Sequence, residues 1–281
     1  MVNSVNTNIG ATVALQSLNK TNSELDKVQK QVSTGYKVAD AKDDGAAFAV
    51  AQGLRGKVKG NEAVNERLAV AKGLISVTQE ALKGISNTVG DLRKTVVKLA
   101  DANLSSAEST QYQNDYVALT DDIAKYIAQA SFGGQNLLTT NTAVAVISDA
   151  AGGTVSLTAK NLAYAGTGSL SGITGANAAA TKALVDTSAE AITFLGTLDT
   201  FETAVNNQLA AVGASSRSVE NQDAFIKVLG DTINDSVGAI VDADLAKASA
   251  KLQALQIRQQ LGTQSLSIAN QAPSALLSLF K

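Results

Sequence analysis

The chain has 281 residues, 45% of them apolar, and a formal net charge of −2. With neither histidine nor cysteine, it lacks the commonest general base and metal ligand, the thiolate nucleophile and any disulfide framework, which sets aside triad and zinc chemistry. Neither the net charge nor any basic run gives the footprint of a nucleic-acid binder.

Aromatic residues make up only 4% and tryptophan is absent. The apolar content is therefore largely Ala, Val and Leu, which pack helices side by side, so an elongated helical bundle is favoured. Met1 to Ala11 carry no charge and show neither the basic start nor the apolar centre of a cleaved secretory signal. No apolar run is long enough to cross a bilayer. Taken alone, these features suggest a cytoplasmic protein, or one exported by a route that reads no cleavable signal.

From Ile9 to Val32, Ala11, Leu18, Leu25 and Val32 recur every seven residues with Ala14, Thr21 and Val28 between them. A stripe this weak orders only against a partner. It breaks at Ser33-Thr34-Gly35, and the charged cluster Asp40 to Asp44 before Gly45 signals a bend. Helical spacing resumes at Ala47, Val50 and Leu54. From Val64 to Leu99 the strongest seam appears: Leu68, Ile75, Leu82, Val89 and Val96, alternating with Ala71, Thr78, Ile85, Leu92 and Leu99. Such a 3,4 repeat predicts a helix of roughly 50 Å packed along one narrow face.

Ser105 or Ser106 is placed to cap a third helix with Glu108 close behind, and Tyr112, Tyr116, Leu119, Ile123, Tyr126 and Ala130 continue it as far as Phe132-Gly133-Gly134. Between Thr139 and Thr181 charge nearly vanishes. Val144 to Ile147 and Thr154 to Leu157 flank a turn-rich stretch and predict a hairpin, while the rest reads as surface loop or flexible linker. A long helix then runs from about Ala183 to Ile240, with Leu198, Val205, Val212, Val219, Ile226 and Ile233 on its seam. At Asp242-Ala243-Asp244 the phase shifts, and Leu245, Ala248, Leu252, Leu255, Gly262, Leu266 and Ala269 form a new stripe that Pro273 closes before Leu276 to Phe280.

This order is nearly palindromic, so the chain ends should meet. The fold class is mainly α: a discontinuous antiparallel coiled-coil bundle with a small β-hairpin insert. We divide it into 1–42 plus 243–281, 43–138 plus 182–242, and the insert 139–181. Groups that might carry chemistry have plainer readings. Asp43-Asp44 and Asp121-Asp122 are adjacent, so on a helix they point about 100° apart and do not converge on one atom. Gly133-Gly134 and Gly152-Gly153 lack the context of a phosphate loop and read as turns. Leu276 to Phe280 is too short for a membrane-surface segment and suits contact with another protein chain.

The two ends carry a resemblance. Val5-Asn6-Thr7-Asn8, the stretch Val32 to Val38 and Ala41-Lys42-Asp43-Asp44-Gly45-Ala46-Ala47 resemble the N-terminal signature of bacterial flagellins in order and spacing. Leu209 through Val212-Gly213-Ala214 to Arg217, Ile240 to Ala246, Ala269 to Pro273 and Leu276 to Leu279 resemble the C-terminal one. The resemblance implies a structural subunit without cofactors that polymerises with itself into the flagellar filament, with the terminal helices lining a narrow channel. It also implies extracellular localisation after unfolded passage through the flagellar export apparatus, and contacts with an export chaperone, the filament cap, hook-filament junction proteins and other flagellin paralogues. Two alternatives remain open: a hook-filament junction protein and a cytoplasmic coiled-coil scaffold.

On this reading Ala11, Leu18, Leu25 and Val32 pack on Leu245, Leu252, Leu255 and Leu266 only in the polymer. Where receptor-activating flagellins carry Arg, Leu and Gln, the alignment places Asp91, Thr95 and Lys98, on an outer face, which implies weak or no recognition by the flagellin-sensing Toll-like receptor. Thr167, Ser169, Ser171 and Thr174 are candidate O-glycan acceptors, as in some flagellins.

Overall fold

The computed structural model describes residues 8–163 and 169–277, without the side chains of 169 and 272–277. It contains α1 (Ile9–Thr34), α2 (Gly45–Leu99), α3 (Ser106–Gln129), β1 (Ser131–Phe132), β2 (Gln135–Asn136), β3 (Val144–Ile147), β4 (Thr154–Leu157), α4 (Ala178–Lys182), α5 (Ser188–Val241) and α6 (Leu245–Leu277). The protein is a mainly helical bundle with small antiparallel β elements, as its sequence predicts. It divides into two compact units, Met1–Val58 with Asp231–Lys281 (unit 1) and Lys59–Gly230 (unit 2). Both boundaries fall inside helices, because the 55 residues of α2 and the 54 of α5 are each continuous.

In unit 1, α1 begins where the Asn8 side chain accepts from the Ala11 amide and ends at Gly35, whose φ of 75° suits a left-handed cap that residues with a Cβ resist. The two chain turns of the unit pair there. Tyr36 bridges Asp242, the Ala243 amide donates to Gly35, and the Lys37 amide donates to Val241 at 2.8 Å. Of the predicted carboxylate pair, Asp43 is bound by the Lys30 ammonium, which also holds Asp40 at 2.6 Å, and Asp44 accepts from the Ala46 and Ala47 amides at the start of α2. These are structural roles. Val38, Ala51, Val237 and Val241 form a small core with Ile233 half-buried beside it. Ile233 thus belongs to this cluster, apart from the main seam with which its spacing aligned it.

In unit 2, Leu68, Ile75, Leu82, Val89 and Val96 of α2 meet Leu198, Val205, Val212, Val219 and Ile226 of α5 in one buried core. Burying each large aliphatic side chain contributes roughly 1.5–3 kcal/mol. Helix α3 starts with a capping box, in which Ser105 and Glu108 each bond the other's backbone amide. It joins the core through Tyr116, Ile123 and Ile127, whereas Tyr126 is exposed and Tyr112 only partly buried. Polar clamps link α2 to α5: Arg93 pairs with Asp199 and with Glu202, and Lys72 reaches Asp223 at 2.6 Å.

Asp223 is also held by Lys227 at 2.8 Å. The Lys227 and Lys72 ammonium groups keep its carboxyl below the usual carboxylate range. A carboxyl lowered in the folded state stabilises above its unfolded pKa, about 3.9, and that contribution is lost as pH falls through the lower folded value. We therefore expect the melting midpoint of the protein to drop on acidification below about pH 4. The Asp223→Asn variant should melt lower at pH 7 and show a shallower acid drop, measured by thermal unfolding across pH.

The hairpin forms where the alternation predicts it, with Val144 opposite Leu157 and Ile147 opposite Thr154. Gln208 fastens it to α5 through the Thr158 carbonyl and Gln222 through the Ser148 carbonyl, at 3.0 and 2.7 Å. Gly133 and Gly134, both with positive φ, turn β1 into β2.

Three expectations are corrected. The stretch after the hairpin is more than surface loop: Leu162, Leu170 and Ile173 are fully buried, and the Leu170 amide bonds the Leu162 carbonyl. The last long helix of unit 2 starts at Ser188, not near Ala183, because Thr187 and Glu190 cap it reciprocally and α4 precedes it separately. Finally, α6 continues through Pro273 to Leu277. A proline removes one helical hydrogen bond and bends a helix without always ending it.

Candidate functional site

The chain ends meet in unit 1 as an antiparallel pair. The Asn8 amide donates to the Ala269 carbonyl at 2.7 Å, and Gln259 donates to Asn22 at 2.9 Å, so ascending residues of α1 face descending residues of α6. At Gly262 the helices come so close that an added Cβ would lie 3.2 Å from a Leu18 methyl. The seam closes at Val28, Ala248 and Leu255, all buried, with Leu25, Val32 and Leu252 half-buried around them.

Of the predicted assembly residues, Leu25, Val32, Leu252 and Leu255 are brought together in this cluster. Ala11, Leu18 and Leu266 are half-buried, while Leu245 is half exposed. The pairing occurs within a single chain.

Sequence reasoning missed a second set of apolar side chains on the same two helices. Ile9 (67% exposed), Val13, Leu15, Ile257, Leu261 and Ile268 (63%) all remain exposed after the two helices have packed. Their spacing held a signal: Ile9 and Val13 are four apart, as are Ile257 and Leu261, with Ile268 seven further on. That is a second helical stripe beside the first. A helix with a second apolar stripe beside its packed seam is patterned for a second partner. A groove between the helices, lined by Val13, Leu18, Lys20, Glu24, Arg258 and Leu261, adds charges of both signs to the same face.

In unit 2, Asp91 and Lys98 are exposed, Asp91 paired with Lys94 at 2.9 Å and Lys98 placed 5.0 Å from the centre of the Tyr112 ring. Thr95 is only 9% exposed and its hydroxyl donates to the Asp91 carbonyl. Asp91 and Lys98 thus lie on an exposed face of α2, whereas Thr95, one turn beyond the buried Leu92, turns inward. Among the acceptor candidates, Thr167 lies outside the described residues and so does the side chain of Ser169. Ser171 is exposed, and the Thr174 hydroxyl is engaged with that of Thr181 at 3.1 Å.

The comparisons agree at both ends of the chain. The model for the bacterial flagellin N-terminal helical region matches residues 5–143, and that for the C-terminal helical region matches residues 195–280. Flagellin FljM of Caulobacter vibrioides is 38% identical over 281 residues, covering 100% of this chain and 99% of its own length. FljK of the same organism is 40% identical over 283 residues with the same coverage. A flagellin of Brucella melitensis is 32% identical over 289 residues, 99% of each chain. For fold alone, a solved chain from Vibrio parahaemolyticus, provisionally described as a flagellar hook-associated protein, superposes with a TM-score of 0.61 at 14% identity. It is matched over 100% of its length and 71% of this one.

Paired terminal helices that still expose an apolar stripe, together with full-length likeness to filament proteins, define the class: a self-assembling structural protein. The chain belongs to the bacterial flagellin family. It is a structural subunit of the flagellar filament, not an enzyme.

Proposed function

We propose that the α1–α6 pair is the polymerisation surface, with residues 1–42 and 243–281 lining the filament's export channel. Residues 43–138 and 182–242 build the layer outside it, and 139–181 form the short outer insert. The observation that carries this reading is the second apolar stripe, Ile9, Val13, Ile257, Leu261 and Ile268, which remains exposed after the two helices have packed on each other. A subunit whose complementary patches lie on different faces makes heterologous contacts, which do not close and so build an open helix. Electron microscopy of the purified protein after seeding tests it: long filaments of uniform width are expected. Failure to polymerise alone, with only a few copies bound at a filament base, would favour the hook-filament junction reading.

The protein acts outside the cell after threading unfolded through the flagellar export apparatus, served by an export chaperone, and it meets the filament cap, junction proteins and other flagellins on arrival. Absence of cysteine and a single proline suit that route, since no crosslink blocks threading and little slow isomerisation delays refolding.

Recognition by the flagellin-sensing Toll-like receptor is weak or absent. Asp91, paired with Lys94, puts an exposed carboxylate where receptor-activating flagellins carry Arg, and a like-charge contact in an interface costs several kcal/mol. Purified, contaminant-free protein is expected to give little signal in receptor-reporter cells, and a potent response would refute this. O-glycosylation of the insert is proposed at Ser171 first, on its exposure, and at Thr167 and Ser169. Thr174 is the poorest acceptor because its hydroxyl is engaged. An intact mass equal to the sequence mass would remove this proposal.

A further inference from the structure

In unit 2 the apolar stripe of α2 runs through Leu68, Ile75, Leu82, Val89 and Val96, all buried. Seven residues before Leu68 the same heptad position holds Asn61, which is only 5% exposed. Among the described residues its side-chain Nδ2 is buried without a hydrogen-bond partner, and so is Oδ1 of Asn65, four residues further on. Side chains four apart share a helix face, roughly 5–6 Å between their Cβ atoms.

A buried polar group without a partner destabilises a fold, and native structures rarely leave one so. Here one orphan is a donor and the other an acceptor. A cation would be repelled by the Asn61 N–H dipole and an anion by the Asn65 oxygen, whereas one neutral molecule that both accepts and donates satisfies the pair. Internal waters occupy such polar positions, where they find at least two partners.

We propose that Asn61 and Asn65 hold one internal water, which accepts from Asn61 Nδ2 and donates to Asn65 Oδ1 in the stripe of α2. The site is a polar notch at the head of the α2 seam, and its existence does not depend on the assembly surface assigned above.

A density map of the wild-type full-length protein, at a resolution that shows ordered solvent elsewhere in unit 2, tests this directly. A peak within about 3.2 Å of both atoms is expected. A map without that peak overturns the proposal, whatever the two amides bond instead. Thermal unfolding of Asn61→Ala, Asn65→Ala and the double variant supplies a second readout. Because one water serves both side chains, the second substitution should shift the melting midpoint by at most about half as much in the background of the first as it does alone. Equal shifts in both backgrounds contradict a shared ligand.

Discussion

Replacing Leu255 by Glu should abolish filament formation while leaving unit 2 folded. Leu255 is 2% exposed, closed in by Val28 with Leu25, Val32 and Leu252 around it. None of these side chains can bond a carboxylate, and burying an unpartnered charge costs several kcal/mol, so the α1–α6 pair opens or the group takes up a proton. Opening the pair strips the outward stripe of Ile9, Val13, Ile257, Leu261 and Ile268 of the scaffold that holds it in register, and above the raised carboxyl pKa this is the favoured outcome. Leu255→Met, which keeps the volume, should assemble normally. Electron microscopy of seeded protein reads assembly, and hydrogen exchange at the α3 amides reports that unit 2 persists. Long filaments from the Glu variant would show that this seam is dispensable.

Tyr116→Ala should cause the largest loss of stability in unit 2, about 3–5 kcal/mol, or a fall in melting temperature on the order of 10 °C. The ring is fully buried and meets Phe194 of α5 edge-on at 5.5 Å. Its hydroxyl donates to the Ile173 carbonyl, and the dry surroundings push the phenol's pKa well up, so it stays a neutral donor throughout the working range. One side chain thus joins α3, α5 and the stretch after the hairpin. Tyr116→Phe separates these roles: it keeps the ring contacts and loses only the hydrogen bond, about 1–2 kcal/mol. The Phe variant should also speed hydrogen exchange around Leu170 to Thr174 more than along α3. Differential unfolding and exchange measurements on both variants check the ordering.

The helices were legible because two independent signals coincided. Along α2 the heptads from Leu68 to Val96 named the buried face, and at α3 the Ser105–Glu108 box named the start. The hairpin was legible from alternation bounded by Asp149, Gly152 and Gly153. The stretch around Leu162, Leu170 and Ile173 was not, since Leu170 and Ile173 are lone apolar residues among Gly, Ser and Thr, and Leu162 stands in a short Asn-Leu-Ala run with no period to follow. Their burial depends on Tyr116 and on the polar net joining Thr174, Gly175 and Thr181, which is tertiary information.

The break before α5 was hidden for a different reason. Ala-rich sequence on either side of Val185 has high helix propensity, and only the Thr187–Glu190 cap decides where the helix begins. At the assembly site the heptad spacing marks Leu25, Val28, Val32, Leu252 and Leu255, whereas the outward stripe has no comparably regular period. A helix that packs on two neighbours scatters apolar residues round its circumference, which weakens the periodicity that reveals a one-sided helix.

Hydrogen exchange on α1 and α6, compared between soluble subunits and assembled filaments, tests the assembly surface most directly. Amides of 9–34 and 245–271 should exchange quickly in a confirmed monomer, where the pair is held by a short seam with its apolar stripe in water. They should become strongly protected in the filament. Strong protection of both ends already in the monomer, or no added protection on assembly, would contradict the assignment of this pair as the polymerisation surface.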